Sequence, residues 1–360
     1  LLEITAFSSN NSLMTDKWLL KMLANRKENE KAQTPFFKLK ELLERDIAQV
    51  NDYILELTNS HRTELIPLVS QHIISSGGKR IRPLLTIACA CALGYEGRDH
   101  TRLAVAVELI HTATLLHDDV IDESKVRRGK PTAHQIWDNK TSILVGDFLF
   151  SQAFMQMVKA GSLRALDILS TTSAIISESE VWQLQLLHNI TGVTDDNYLQ
   201  LIYSKTASLL AASCEVGAII AGGTATQVEA AREYGLNLGM AFQIVDDILD
   251  YIGDADKFGK KIGNDLIEGK VTLPIILAYN KLNPEQRGRM EEIFSGKTEV
   301  TEAIKQEVIT LVTNTEGFEA SYQVASHYVT KAVTALQGLA KNRIAEELGN
   351  LAKETVARQN

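Results

Sequence analysis

Two groups of aspartates in this chain share one spacing: Asp118, Asp119 and Asp122 in LLHDDVID, and Asp246, Asp247 and Asp250 in FQIVDDILD. On a helix, residues four apart lie on one face, so each group sends at least two carboxylates the same way. Like charges at that spacing repel by a few tenths of a kcal/mol. Each group also follows an apolar run and so falls near a helix C-terminus, where negative charge opposes the macrodipole. Neither group stabilises its own helix. Paired carboxylates of this kind suit a hard divalent cation bound through oxygen. Mg²⁺ is the expected ion, because it keeps several waters, takes few carboxylates and shares its remaining positions with substrate phosphates.

Basic residues supply the other half of that chemistry. GGKRIRP (77–83) presents Lys79 and Arg82 after a Gly77-Gly78 turn, and RRGK presents Arg127 and Arg128 directly after the first acidic group. YSKTA carries Lys205 and Thr206, and GKKIGNDLIEGK carries Lys260 and Lys270. Arginine forks match phosphate oxygens bidentately, while lysines act as point charges. Any one of these is ordinarily a surface charge; together with two acidic groups they point to diphosphate substrates. His111, seven residues before Asp118, falls on the same helix face. Alone it would read as a core histidine.

The elements that must position these groups read as helices. No proline lies between Pro131 and Pro274, and apolar residues recur at three- and four-residue intervals. Helices are expected from Leu103 through the first aspartates, from Ala231 through the second, and over SILVGDFLFSQAFMQMVKAG with Gly161 as its stop. Alternating strand patterns with hairpin turns are missing, so β content should be close to nil. The expected architecture is all-α: a single-domain bundle of mostly antiparallel helices over 36–360, preceded by a polar, irregular extension over 1–35. Part of that extension could be added sequence ahead of Met14.

Bulk properties narrow the class. A formal charge of −8 argues against a nucleic-acid binder. No apolar run is long enough for a transmembrane helix, and LLEITAFSSNNSL lacks the form of a signal peptide. Cys89, Cys91 and Cys214 form no CxxC pair and read as small buried residues of a reducing compartment, so a cytoplasmic location is expected. DADKFGKKIGND (254–265) imitates a calcium loop, but Phe258 occupies a ligand position and Asp265 stands where Glu is required. The same stretch misses a phosphate loop by one residue, and no Ser or Thr follows Lys260.

In combination, GGKRIRP, HTATLLHDDVIDESKVRRGKPTAH, VGDFLFSQAF, YSKTASL, AFQIVDDILDY and GKKIGNDLIEGKVTLP resemble the trans-type isoprenyl diphosphate synthases. Within that family the chain is similar to the bacterial long-chain octaprenyl and decaprenyl diphosphate synthases, from near Phe36 to the C-terminus. The resemblance implies the type I isoprenoid synthase fold, with helices around a central cavity, and a Mg²⁺-dependent prenyltransferase. Such an enzyme condenses isopentenyl diphosphate head to tail onto an allylic diphosphate such as farnesyl diphosphate. It further implies that Asp118, Asp122 and Asp246 hold Mg²⁺, with Asp119, Asp247 and Asp250 in support. Arg127, Lys205 and Lys260 would contact the allylic diphosphate, Thr206 and Gln243 would neighbour the ionising carbon, and Lys79, Arg82, His111 and Arg128 would hold isopentenyl diphosphate. A homodimer and a product for a quinone side chain are likewise implied.

Product length should depend on the helix upstream of Asp118. One helical turn rises about 5.4 Å, close to one isoprene unit. Short-chain members of the family close the tunnel with an aromatic four or five residues before the first aspartate. Here those positions are the small Ala113 and Thr114, followed by Ile110 and Val107, so a long product is expected. Phe148, Phe150, Phe154, Met155 and Met157 could form a floor. Ser179 and Trp182 depart from the long-chain pattern, which has Gly and Leu there. LLAASCEVGAIIAGG (209–223) reads equally as a partner face or as core. The rival readings are a shorter-chain farnesyl or geranylgeranyl synthase, a class I terpene cyclase, and a non-catalytic subunit of a heteromeric synthase.

Overall fold

A computed structural model describes residues 34–253 and 263–357. Lys260 and the extension before Thr34 therefore lie outside the described residues. The chain opens with α1 (Pro35–Leu42), α2 (Glu44–Leu57), α3 (Leu65–Ser75), α4 (Ile81–Ala92) and α5 (Asp99–Ile121). A two-residue hairpin, β1 (Val126–Arg127) and β2 (Lys130–Pro131), follows, pairing Arg127 with Lys130. Then come α6 (Ala133–Ile136), α7 (Asn139–Lys159), α8 (Leu163–Leu186) and α9 (Asp195–Ile202). One π-helical turn (Tyr203–Ala207) leads into α10 (Ser208–Ile220), and α11 (Ala225–Ile252) follows. The remainder is α12 (Asn264–Ile267), α13 (Leu273–Lys281), α14 (Pro284–Phe294), α15 (Glu302–Asn314), α16 (Gly317–Ala335) and α17 (Arg343–Ala357). The fold is all-α, as the periodicity predicts. The hairpin is its only strand pair among the described residues.

Local chemistry sets the helix ends. Pro284 occupies the first turn of α14 and Pro274 that of α13, where no backbone donor is lost. α11 begins at Ala225, six residues before the expected Ala231, because Thr224 and Gln227 form a capping box there. Two apolar cores result. One gathers α4, α5, α7 and α10 and the other the second half of α11 with α13, α15 and α16; Tyr328 and Val356 pack against both. The stretch 209–223 resolves as core: nearly every residue of α10 is buried, and α4, α5, α8 and α11 surround it. Close packing of α11 depends on Gly239, where a Cβ would fall 2.6 Å from the Cα of Ala207 in the π turn. That approach sets Thr206 beside Gln243. Among the described residues no helix is long and apolar enough to cross a membrane.

Candidate active site

The first acidic group ends α5, with Asp122 as its C-cap, and the second lies in the last two turns of α11. Their members differ in exposure. Asp246 is exposed, whereas Asp119 and Asp247 are buried. Arg127 Nε donates to Asp119 Oδ1 at 2.8 Å, joining the hairpin to α5. Burial raises the Asp119 carboxyl above its ordinary range although Arg127 works against that shift. Asp118 is pushed up to about 7, chiefly by burial; Lys205 opposes the shift, and the charges of Glu180 and Asp122 reinforce it.

Around Asp247 the polar groups form a chain. Thr206 Oγ1 donates to Gln243 Oε1 at 2.8 Å, and Gln243 Nε2 donates to Asp247 Oδ1 at 2.7 Å. Tyr198 closes the chain from α9, donating its hydroxyl to Asp247 Oδ2 at 2.6 Å. Burial pushes Asp247 up to about 7, with the Tyr198 and Gln243 hydrogen bonds opposing. Lys205, also on the π turn, places Nζ 2.7 Å from Glu180 Oε2 and 3.2 Å from Gln183 Oε1 on α8. Single π turns inside helices recur at functional sites, and this one carries both predicted residues of YSKTA. A cavity of about 130 Å³ lies against this group, lined by Lys205, Thr206, Gln243, Asp247, Asp265 and Lys270 at its polar end.

Lys270 connects the two acidic groups. Its Nζ lies 3.3 Å from Asp122 Oδ2 and 2.5 Å from Glu268 Oε2. Burial disfavours its charge, but Asp122, Glu268 and Asp265 together outweigh that and hold the ammonium charged. The turn before Lys270 is tied to the second group: the backbone N–H of Asp265 donates to Asp250 Oδ2 at 3.0 Å. Asp265 is driven well above the carboxylate range by burial and then by Asp250 and Asp247.

The cations predicted for a second diphosphate gather at the N-terminus of α4. A Cβ on Gly78 would lie 2.7 Å from Arg128 Nη1, so this glycine leaves room for the guanidinium over the Gly-Gly turn. Arg82 has its Nε buried without a protein partner, and burial lowers its pKa to about 10. His111 faces the same group: burial first, then Arg82, Arg128 and Arg127, push its pKa well down, so the ring is neutral. Glu108, one turn earlier on α5, faces Arg82, Arg80 and Arg128. Lys79 sits with Nζ 5.9 Å from the centre of the Phe36 ring. Arg80 and Arg128 both hold left-handed backbone, with φ of 49° and 51°, a strain of the kind that collects at functional sites.

Several residues escaped sequence reasoning. Glu180 and Gln183 are partners of Lys205 from a helix without a catalytic motif, and Tyr198 is one aromatic in an ordinary amphipathic turn. Asp265 stood in view only as the last position of the rejected calcium loop; it is a half-buried neighbour of Asp247 and Asp250. One expectation needs correction. Phe154 lies on the outward face of α7: it is 37% exposed, its ring tilted against Phe150 with centroids 5.4 Å apart, whereas Met157 of the same expected floor is buried beside Leu149 and Ala153. Val107, Ile110 and Ala113 are fully buried in α5 and Thr114 is half-buried. Ser179 is buried, its hydroxyl donating to Ile176 O at 2.7 Å.

Comparison with known proteins decides the family. The profile of the family described as polyprenyl synthetase matches residues 63–312. The chain belongs to the polyprenyl synthetase family. This polyprenyl synthetase is 42% identical to octaprenyl diphosphate synthase of Escherichia coli K12 over 324 residues, covering 89% of this chain and 98% of that one. It superimposes with a TM-score of 0.86 on a decaprenyl diphosphate synthase from Rhodobacter capsulatus, at 42% identity over 90% of this chain and 99% of the other. A polyprenyl synthase from Caulobacter crescentus CB15, solved with calcium and isoprenyl diphosphate, gives the same TM-score at 43% identity, over 90% and 98% of the two chains. The polyprenyl synthetase is therefore a prenyltransferase acting on isoprenyl diphosphates, with the all-α isoprenoid synthase fold.

Proposed function

We propose that this chain is a Mg²⁺-dependent trans-polyprenyl diphosphate synthase that extends an allylic primer such as farnesyl diphosphate to octaprenyl–decaprenyl length, for a quinone side chain made in the cytoplasm. The observation that carries this reading is Lys270, whose ammonium meets Asp122 while its turn is tied to Asp250. Both acidic groups therefore border one space. Their ligand atoms are carboxylate oxygens without sulfur or imidazole, the donor set a hard cation takes. Asp118, Asp122 and Asp246 would hold Mg²⁺, which when bound neutralises the diphosphate and makes it a better leaving group.

The chain's own residues do the rest. Lys205, Lys270 and Arg127 offer charge to the allylic diphosphate, with Lys260 proposed beside them. Lys79, Arg82 and Arg128 seat isopentenyl diphosphate, and the neutral His111 adds a hydrogen bond without adding repulsion. The oxygens of Thr206 and Gln243 turn dipoles toward the carbon that ionises, stabilising positive charge where it develops. The double bond of isopentenyl diphosphate then attacks that carbon, and the released pyrophosphate takes the proton. Water must be excluded throughout, because it would quench the cation. Small Ala113 favours a long product by leaving the α5 face without an aromatic. Exposed Leu144, Val158, Leu163, Val181 and Leu184 on α7 and α8 favour a homodimer through those helices, since apolar patches of that kind mark interaction faces.

Purified protein given farnesyl diphosphate, isopentenyl diphosphate and Mg²⁺ should release octaprenyl to decaprenyl diphosphate. Product stopping at farnesyl or geranylgeranyl diphosphate would overturn the chain-length reading. A cyclic hydrocarbon from the allylic substrate alone would identify a cyclase, and no turnover a partner-dependent subunit. Light scattering reads the dimer directly, and Val181→Glu with Leu184→Glu should shift it to monomer.

A further inference from the structure

At the end of α5 remote from the aspartates, three residues of different chemistry converge. Asp46 comes from α2, Cys91 from the last turn of α4 and His100 from the first turn of α5. One ligand atom from each lies within 4.8 Å of the others. We propose that Asp46, Cys91 and His100 form a binding site for a zinc-class transition-metal ion, separate from the diphosphate site.

The ring of His100 is the first support. It is 2% exposed, and its Nε2 lies 3.1 Å from Asp46 Oδ1. Nε2 and Oδ1 thus face each other across the point where an ion would sit, and a bound ion would replace this contact with two metal bonds. Nδ1, on the other edge of the ring, is buried without a hydrogen-bond partner. The Tyr95 ring, edge-on to His100 with centroids 5.2 Å apart, walls the other side.

Donor type selects the ion. Sulfur, imidazole nitrogen and one carboxylate favour zinc and its neighbours over Mg²⁺ or Ca²⁺, which prefer oxygen alone. Three protein ligands leave one tetrahedral position for water, and Asp46, whose side chain is 26% exposed, gives the route of entry. Burial first, and then the charge of Asp46, push the Cys91 thiol up to about 11. Without a cation Cys91 is thus a neutral thiol; a bound ion would displace its proton. His100 and Asp118 are eighteen residues apart on one helix, about 27 Å along its axis, so the two metal sites do not share ligands. The ion would pin α2 and the α4–α5 turn to the helix that carries the first acidic group.

Cobalt distinguishes this site from the aspartates, because only a cysteine ligand gives thiolate-to-cobalt charge transfer. Full-length, metal-free protein titrated with Co²⁺ should develop a near-ultraviolet sulfur-to-metal band saturating at one equivalent. The band should vanish in Cys91→Ser and weaken at least tenfold in apparent affinity in Asp46→Asn, while both variants keep Mg²⁺-dependent prenyl transfer. If Cys91→Ser fails to fold, Cys91→Ala and Asp46→Asn carry the same comparison. Absence of the band in the native protein, or its persistence after Cys91 is replaced, overturns the site.

Discussion

Tyr198 donates its hydroxyl to the buried Asp247 at 2.6 Å, across forty-nine residues of chain. This bond and the one from Gln243 hold the Asp247 charge against burial. Tyr198 thereby orients the inner carboxylate of the second acidic group without facing substrate itself. Tyr198→Phe should lower kcat about tenfold, an effect of ~1.4 kcal/mol on the barrier, with KM for isopentenyl diphosphate little changed. Losing that bond raises the Asp247 pKa further, so the acid limb of the kcat profile should move to higher pH. A profile that stays in place would remove Tyr198 from this role.

The same carboxylates set the stability of the metal-free protein. Asp118 and Asp247 both hold folded-state pKa values of about 7, above the ordinary value near 3.9 for aspartate. The folded protein therefore binds their protons more tightly than the unfolded chain. Their contribution is fully present below about pH 4 and is lost as pH rises toward 7. Without Mg²⁺, the melting temperature of Asp247→Asn should rise relative to the native protein between pH 5 and pH 8. A constant difference across that range would contradict the shifted value.

The hairpin that carries Arg127 and Arg128 is strapped to α3. His72 Nε2 donates to Pro131 O at 2.8 Å while its ring stands edge-on to Trp137, and Lys130 Nζ donates to Ser75 O at 3.2 Å. His72→Ala should loosen the hairpin and raise KM for isopentenyl diphosphate about fivefold, near the ~1 kcal/mol net worth of one hydrogen bond. Steady-state kinetics with saturating primer reads this directly, and His72→Gln should recover part of the loss.

Ala113 is fully buried one turn above the first aspartates. Replacing it with Phe should cut the product to farnesyl or geranylgeranyl length, measured by chromatography of the dephosphorylated chains. Overpacking a closed core costs about 1–3 kcal/mol, so the melting temperature should fall as well. Unaltered product length in a folded Ala113→Phe would place the length control elsewhere.

Lys270 meets Asp122 at 3.3 Å and is held charged by its acidic neighbours. Lys270→Ala should depress kcat/KM for the allylic diphosphate by about a hundredfold, since charged hydrogen bonds each contribute about 1.5–3 kcal/mol. Lys270→Arg should restore only part, because a planar fork does not replace a compact ammonium.

Much of this protein is legible in its amino-acid order. Helix periodicity, the scarcity of proline and the capping residues are local properties, so the all-α fold follows from neighbours in sequence. The spacing of Asp118 with Asp122 and of Asp246 with Asp250 also lies within single helices, where the geometry of one turn dictates a shared face. Which residues complete the site was decided only by tertiary packing. Tyr198 reaches Asp247, Glu180 reaches Lys205 and Lys270 reaches Asp122 between elements whose order along the chain carries no record of the approach. Phe154 shows the limit from the other side: apolar residues lie on every face of its helix, and packing turned Leu149 and Met157 inward and left Phe154 at the surface. Sequence determined which faces could exist; the close approach at Gly239 and the burial around α10 determined which faces meet, because packing of distant segments depends on volumes that no local pattern encodes.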